Sequence, residues 1–195
     1  MAESPFTVFP VTPERFADLE RLFGPRGACG GCWCMVSRLD RRTFEAQKGA
    51  GNHRALQGLV ASGTVPGLLA YRDGVPVGWL ALAPREDYPR LVHSRIARPE
   101  PLPGTWAVSC FFVTPGIRGQ GATLPLLRAA ARFAFDHGAR CLEGYPYEVG
   151  QNPPPVFAYM GLARSFLRTG FRRVAPYGKS RVLMRLDGDP SADAF

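Results

Sequence analysis

One stretch constrains this chain more than any other. Thr105 to Thr114 is a long apolar run, a turn containing Gly116, Gly119 and Gly121 follows it, and Gly121 to His137 is rich in alanine and leucine until Gly138. The run reads as a strand and the last part as a helix that glycine terminates. Pro125 fits if the helix begins close to Gly121, where its missing N–H would have had no intrahelical partner. A strand that feeds a helix through a glycine-rich turn makes a phosphate cradle. Glycine lets the backbone approach an anion, the first helical N–H groups are unsatisfied, and the helix dipole adds partial positive charge. Arg118 brings a full charge to the loop Arg118, Gly119, Gln120, Gly121, Ala122. Ordinary strand-to-helix turns also use glycine, so the loop by itself does not choose a ligand.

The rest of the chain supplies the surroundings. Phe6, Val8 and Phe9 read as a first strand, and Thr12-Pro13 opens a helix whose Phe16, Leu19, Leu22 and Phe23 recur at helical spacing until Gly24. A Gly/Cys-rich loop from Pro25 to Arg38 precedes two short helical segments, Asp40 to Lys48 and Asn52 to Ser62. Gly67 to Arg72 and Val75 to Ala83 flank Asp73-Gly74, a two-residue hairpin signal. Arg85 to Pro103 is polar and punctuated by proline, with a helical turn near Tyr88 to His93. Arg140 to Tyr145 is a further strand, Phe157 to Arg168 a helix stopped by Gly170, and Phe171 to Ala175 and Arg181 to Leu186 two closing strands.

No repeat or linker divides these elements, so residues 1–195 read as one domain with a flexible tail over 188–195. The formal charge is +8, and Lys48 and Lys179 are the only lysines. A surplus of guanidinium favours anionic partners: a phosphate-rich cofactor, an acidic substrate or nucleic acid. A coding bias toward Ala, Gly, Pro and Arg would also produce it. Five cysteines, an odd number, fit a reducing compartment better than a disulfide framework. With no membrane-length apolar run and no basic-then-apolar leader in Met1 to Pro10, the expected location is cytoplasmic.

The order of elements and the loop together resemble the GNAT superfamily of N-acetyltransferases. The family pattern, a valine two before a proline and then Arg/Gln-x-x-Gly-x-Gly/Ala, lies on Val113, Pro115, Arg118, Gly121 and Thr123, with Thr123 standing where the family has Gly or Ala. The resemblance runs from Phe6 to Leu186. It implies an α/β (α+β) fold: a mixed, mostly antiparallel sheet of about seven strands, flanked by about four helices. In that sheet two adjacent parallel strands, 105–114 and 140–145, splay to open a slot. It implies acetyl-CoA as co-substrate, its pantetheine arm along Phe111, Phe112 and Val113 and its pyrophosphate on Arg118, Gly119, Gln120, Gly121, Ala122 and Thr123. The activity implied is direct acetyl transfer to a primary amine of a small molecule or peptide. The wall facing the acceptor would come from the first helices and the cysteine loop.

Such a transfer needs a neutral amine, a stabilised oxyanion and a proton for the departing thiolate. Many family members place a Tyr four residues before a Gly-Phe pair as the proton donor; Gly170-Phe171 puts that position at Phe166, which has no proton to give. The candidates that remain are Tyr159, two helical turns earlier and on the same face, Tyr145, or water. Glu143, on the strand flanking the slot, is the preferred base, with Glu86, Asp87 and His93 as rivals on the loop before the central strand. Arg85, Tyr88 and Arg90 form a cluster able to grip an anionic acceptor. Each of these residues also has a structural reading, as core aromatic or solvated charge.

Cys29-Gly-Gly-Cys32-Trp33-Cys34 is the most unusual run in the sequence. Three soft ligands within six residues suit zinc, with His53 as a fourth, but structural zinc sites usually take paired ligands from two places and a second CxxC is missing. No metal is therefore expected. Reactive thiols are another reading. The favoured one is that Cys29, Cys32, Trp33, Cys34 and Met35 line an apolar, polarizable acceptor pocket. Two other functions stay open: an acyl-CoA-binding module without catalysis, which Phe166 permits, and a basic nucleic-acid-binding protein, which only the charge supports. The oligomeric state is open too, a homodimer included.

Overall fold

The computed structural model describes residues 4–94, 96, 102–151, 153–154 and 157–188. Seven strands form one sheet: β1 Thr7–Pro10, β2 Gly67–Arg72, β3 Val75–Pro84, β4 Thr105–Val113, β5 Cys141–Gly144, β6 Arg172–Tyr177 and β7 Arg181–Asp187. Among the described residues six helices accompany it: α1 Phe16–Phe23, α2 Arg41–Ala46, α3 Ala50–Ala61, α4 Pro89–Val92, α5 Thr123–Asp136 and α6 Ala163–Leu167. The strand order is β1-β2-β3-β4-β5-β7-β6, and every neighbouring pair is antiparallel except β4 and β5. The expected mixed sheet with one parallel pair is present. Residues 189–195, most of the expected tail, lie outside the described residues.

The hairpin turn needs left-handed backbone twice, and Asp73 and Gly74 supply it at φ 51° and 74°. Helix α5 presses Leu126, Leu127, Ala130 and Ala134 onto one face of the sheet, against Leu80, Leu82, Val108 and Leu142. Full burial of each leucine is worth about 1.5–3 kcal/mol, which holds the helix start against the end of β4. Helices α1 to α3 and the cysteine loop cover the opposite face, over Leu69, Trp79, Ala81 and Cys110. A smaller cluster of Ala83, Tyr88, Leu91, Ala107, Tyr145, Met160 and Leu183 forms a third pack.

Two expected helices differ. A 3-10 turn at Pro13–Arg15 precedes α1, and the Thr12 hydroxyl makes no capping bond. The expected helix over 157–168 is a 3-10 turn, Ala158–Met160, then Gly161 at φ 84°, then α6. Left-handed backbone cannot continue a right-handed helix. As a result Tyr159 and Phe166 do not share a helix face. Phe166 packs in the α5-side core, whereas Tyr159 packs beside the clusters of the other two packs.

Candidate functional site

The slot begins where β4 and β5 part. Their pairing covers only Thr105–Val108 against Cys141–Gly144, while β4 runs on to Val113. Beyond Gly144 the chain stays with β7: Val182 N donates to the Pro146 carbonyl at 3.0 Å, and Tyr147 bridges to Arg181. The Phe111 and Phe166 rings, 6.0 Å apart and edge to face, lie at the parting, and Phe166 covers Gly144 so closely that a Cβ there would collide with the ring. Packing thus opens the strands and leaves Ser109 to Val113 without a partner strand on the β5 side. On the β3 side the register slips between Ala81 and Leu82, making Ser109 the extra, bulged residue.

At the carboxyl end of β4, Thr114 leads into a 3-10 turn, Pro115–Ile117, and then the loop to α5. Gly119 and Gly121 adopt φ 79° and 89°, and a side chain at either would meet nothing within 4 Å, so open space lies above them. The N–H groups of Gly119, Gly121, Ala122 and Thr123 find no acceptor among the described residues. Four unmet donors at a helix start, two of them on glycines that face open space, fit a pyrophosphate. Arg118, exposed, folds its Nε onto the Val113 carbonyl at 3.0 Å. Gln120 straps the loop, donating to the Gly116 carbonyl at 2.7 Å and accepting from Arg72 Nη1 at 2.5 Å. The sequence carried no signal for Arg72; only the hairpin brings it to the loop.

The expected catalytic trio comes out differently. Glu143 is buried, and both its oxygens are taken. Oε1 accepts from Arg185 Nη2 and Nε at 2.6 and 3.2 Å; Oε2 accepts from the Tyr145 hydroxyl at 2.9 Å and lies 3.4 Å from Arg85 Nε. As placed, this carboxylate has both oxygens engaged by side chains at the end of β5, on β7 and in the loop at Arg85. Tyr145 is engaged likewise. Its proton is committed to Glu143, and burial, then the Glu143 charge, pushes the hydroxyl well above the ordinary tyrosine range. Tyr159 keeps its candidacy on new grounds: half-buried, with its turn packed across β4, its hydroxyl has no hydrogen-bond partner among the described residues. Glu86, Asp87 and His93 are exposed.

Arg85 is engaged by the Tyr145 hydroxyl, the Glu143 carboxylate and the Leu91 carbonyl. Tyr88 is wholly buried. In the cysteine loop, Trp33, Cys34 and Met35 are 9%, 4% and 3% exposed and close the core above Trp79, instead of lining an open pocket. Trp33 and Cys34 hold φ at 44° and 53°, a strained pair that the packing enforces. Cys34 Sγ lies 3.4 Å from Cys110 Sγ and accepts from Trp79 Nε1 at 3.1 Å. Hydrogen bonding to Cys110 and burial hold Cys34 well above its ordinary range. Contact with Cys34 and burial do the same to Cys32, so neither is poised as a thiolate. Cys29 is exposed. His53, the suggested fourth zinc ligand, is 2.7 Å from Glu20, and among the described residues no group of three or more Cys, His, Asp or Glu is placed to share a metal ion.

Sequence reading also passed over Ser109, Arg185 and Arg38. A lone polar residue inside the apolar runs of β4 and β7 was a signal for the first two; Arg38 had none. Among the described residues, no helix is long and apolar enough to cross a membrane.

Comparison with known proteins bears on this geometry. The family model described as the acetyltransferase (GNAT) family matches residues 33–147, more than half of the chain. Among solved structures, the ribosomal-protein-S5-alanine acetyltransferase of Vibrio fischeri is similar over 97% of both chains, with TM-score 0.57 and 11% identity. YncA of Salmonella typhimurium, solved with acetyl-CoA, also covers 97% of both, with TM-score 0.54 and 16% identity. PaiA N-acetyltransferase of Thermoplasma acidophilum, solved with coenzyme A, covers 96% of this chain and all of that one, at TM-score 0.53 and 14% identity. At such identities the likeness is one of fold. No curated protein matches in sequence.

Proposed function

The chain belongs to the GNAT acetyltransferase family, and from that premise we propose that it moves the acetyl group of acetyl-CoA directly to a primary amine of a small molecule or peptide. The observation that carries this reading is the run of four unclaimed backbone N–H groups at Gly119, Gly121, Ala122 and Thr123, set beside the freed edge of β4. Those amides, with Arg118 and Arg72, would take the pyrophosphate, and the edge from Phe111 to Val113 the pantetheine arm. Thr123, the first residue of α5, keeps its hydroxyl free of hydrogen bonds at the mouth of the cradle, where it would act as one more donor. The family position's departure from Gly or Ala then adds a contact.

In the reaction the neutral amine nitrogen attacks the thioester carbon, the carbonyl oxygen gathers negative charge, the nitrogen gives up its extra proton to water, and collapse breaks the C–S bond and releases a thiolate that needs a proton. Of the three candidate groups, Tyr159 alone has an uncommitted hydroxyl, and we assign it the thiolate's proton. Glu143 and Tyr145 act at one remove, by holding β5, β7 and the loop at Arg85 together. Calorimetric titration with acetyl-CoA, followed by an assay of CoA thiol release over a broad set of amines, tests the proposal. Saturable binding plus amine-dependent release supports it. Binding with no release across the set would leave an acyl-CoA-binding module, and absence of binding at millimolar ligand would overturn the cradle itself.

A further inference from the structure

Arg85 is consumed by Glu143, yet a second buried cation lies at the parting of the strands. The Arg38 side chain is 7% exposed, and its Nη2 donates to the Leu82 carbonyl at 3.3 Å. Leu82 pairs with Val108, the last β4 residue that β5 holds, so Arg38 stands at the branch point of the slot, on the side away from α5. A guanidinium offers five N–H donors. Among the described residues, the one hydrogen-bonding or ionic partner of the Arg38 side chain beyond the Leu82 carbonyl is Asp87, 3.8 Å away with a side chain 45% exposed.

Other unmet donors gather around it. The Arg38 guanidinium lies over the Tyr88 ring, 5.0 Å from its centre. The hydroxyls of Tyr88 and of the bulged Ser109 are both fully buried and neighbour one another, and among the described residues neither has a hydrogen-bond partner besides the other. Among the described residues Arg90 Nη2 is a further buried donor without a hydrogen-bond partner; its guanidinium lies over the Phe44 ring, 5.2 Å from the centre, and the Arg90 amide, 3.5 Å from the Ser37 carbonyl, ties its backbone to the residue before Arg38. Buried polar groups are almost always paired, and a buried charge more strictly still. A buried guanidinium with one carbonyl and a half-exposed carboxylate for partners, beside two buried hydroxyls that have only each other, is the complement of an oxyanion.

We propose that the acceptor is an amine that also carries an oxyanionic group, a carboxylate or a phosphate, and that Arg38 is its principal partner, with Arg90, Tyr88 and Ser109 completing the hold. The incoming anion replaces the loose Asp87 contact, and its tether presents the amine at the bulge beside the thioester. This rests on the acetyl-transfer reading and narrows it from amines in general to acidic amines.

Titration of the CoA-loaded protein with matched pairs tests the proposal without turnover: glycine, β-alanine and 4-aminobutyrate against their amides, aspartate against its diamide, and phosphoethanolamine against ethanolamine. The acidic member of at least one pair is expected to bind about tenfold more tightly than its neutral partner, and the arm that responds separates carboxylate from phosphate. Arg38→Gln should erase that preference while CoA affinity holds, Arg38→Lys should keep part of it, and Arg90→Gln should weaken it should the Arg38 variants fail to fold. Equal binding of neutral members, no binding of any acidic member at millimolar concentration, or a preference that survives both glutamine variants would overturn the proposal. Failure of CoA to load in the first step would instead strike the acetyl-transfer reading.

Discussion

At one end of the slot the donors belong to the backbone, and at the other to buried side chains. The loop from Arg118 to Thr123 is mostly exposed, its glycines hold left-handed backbone over open space, and four of its amides find no acceptor among the described residues. The Glu143, Arg185, Arg85 and Tyr145 network is buried and nearly saturated with its own contacts. The first region is available to a ligand and contributes little to holding the sheet together. The second joins β5 to β7 and to the loop after β3, each of its groups engaged by another. Charge alone did not separate them, since both are rich in arginine; burial did.

Substitutions should split along this line, and the largest effect falls on the buried side. Glu143→Gln leaves two buried guanidiniums without a counter-charge and should cost about 3–5 kcal/mol of stability, read by chemical denaturation. Full stability in that variant would erase the contrast. Next, Tyr159→Phe should lower kcat about a hundredfold, roughly 2.7 kcal/mol, with unchanged melting; an unaltered kcat would hand the proton to water. Arg118→Ala should weaken CoA about tenfold, or about 1.4 kcal/mol, while leaving unfolding unmoved. A loss of stability there would show that the loop is structural after all.

The smallest effect is a slope. Burial pushes the Tyr88 hydroxyl up to about 12 from its usual 10.0. The unfolded chain therefore loses this proton first, and the stability Tyr88 contributes below pH 10 is lost as pH rises through about 12. Tyr88→Phe should flatten that part of the profile, measured by denaturation across alkaline pH. An unchanged slope would place the hydroxyl nearer to solvent than the packing implies, and would narrow the difference between the two ends.

Much was legible before folding, wherever the information is local. The 73–74 hairpin, α5 with Pro125 in its first turn, and the glycine loop each follow from residues within a few positions of one another, because backbone geometry is decided by neighbours. The helical spacing that picks out Tyr159 is broken by Gly161, yet Tyr159 packs beside the two clusters away from α5 for a reason that spacing did not contain: its turn packs across β4.

What the sequence by itself determined is the set of backbone features: the strand, the loop that turns on glycine and the helix start with its unmet amides, together with the family pattern they carry. Which side chains are free was decided only by the tertiary structure. Glu143 meets Arg185 and Arg85 from 42 and 58 positions away, Arg38 reaches the strand pair at Leu82 and Val108, and Arg72 reaches Gln120 across the hairpin. A side chain's chemistry depends on its solvent exposure and on the charge beside it, and both are set by contacts between distant segments that no local pattern records.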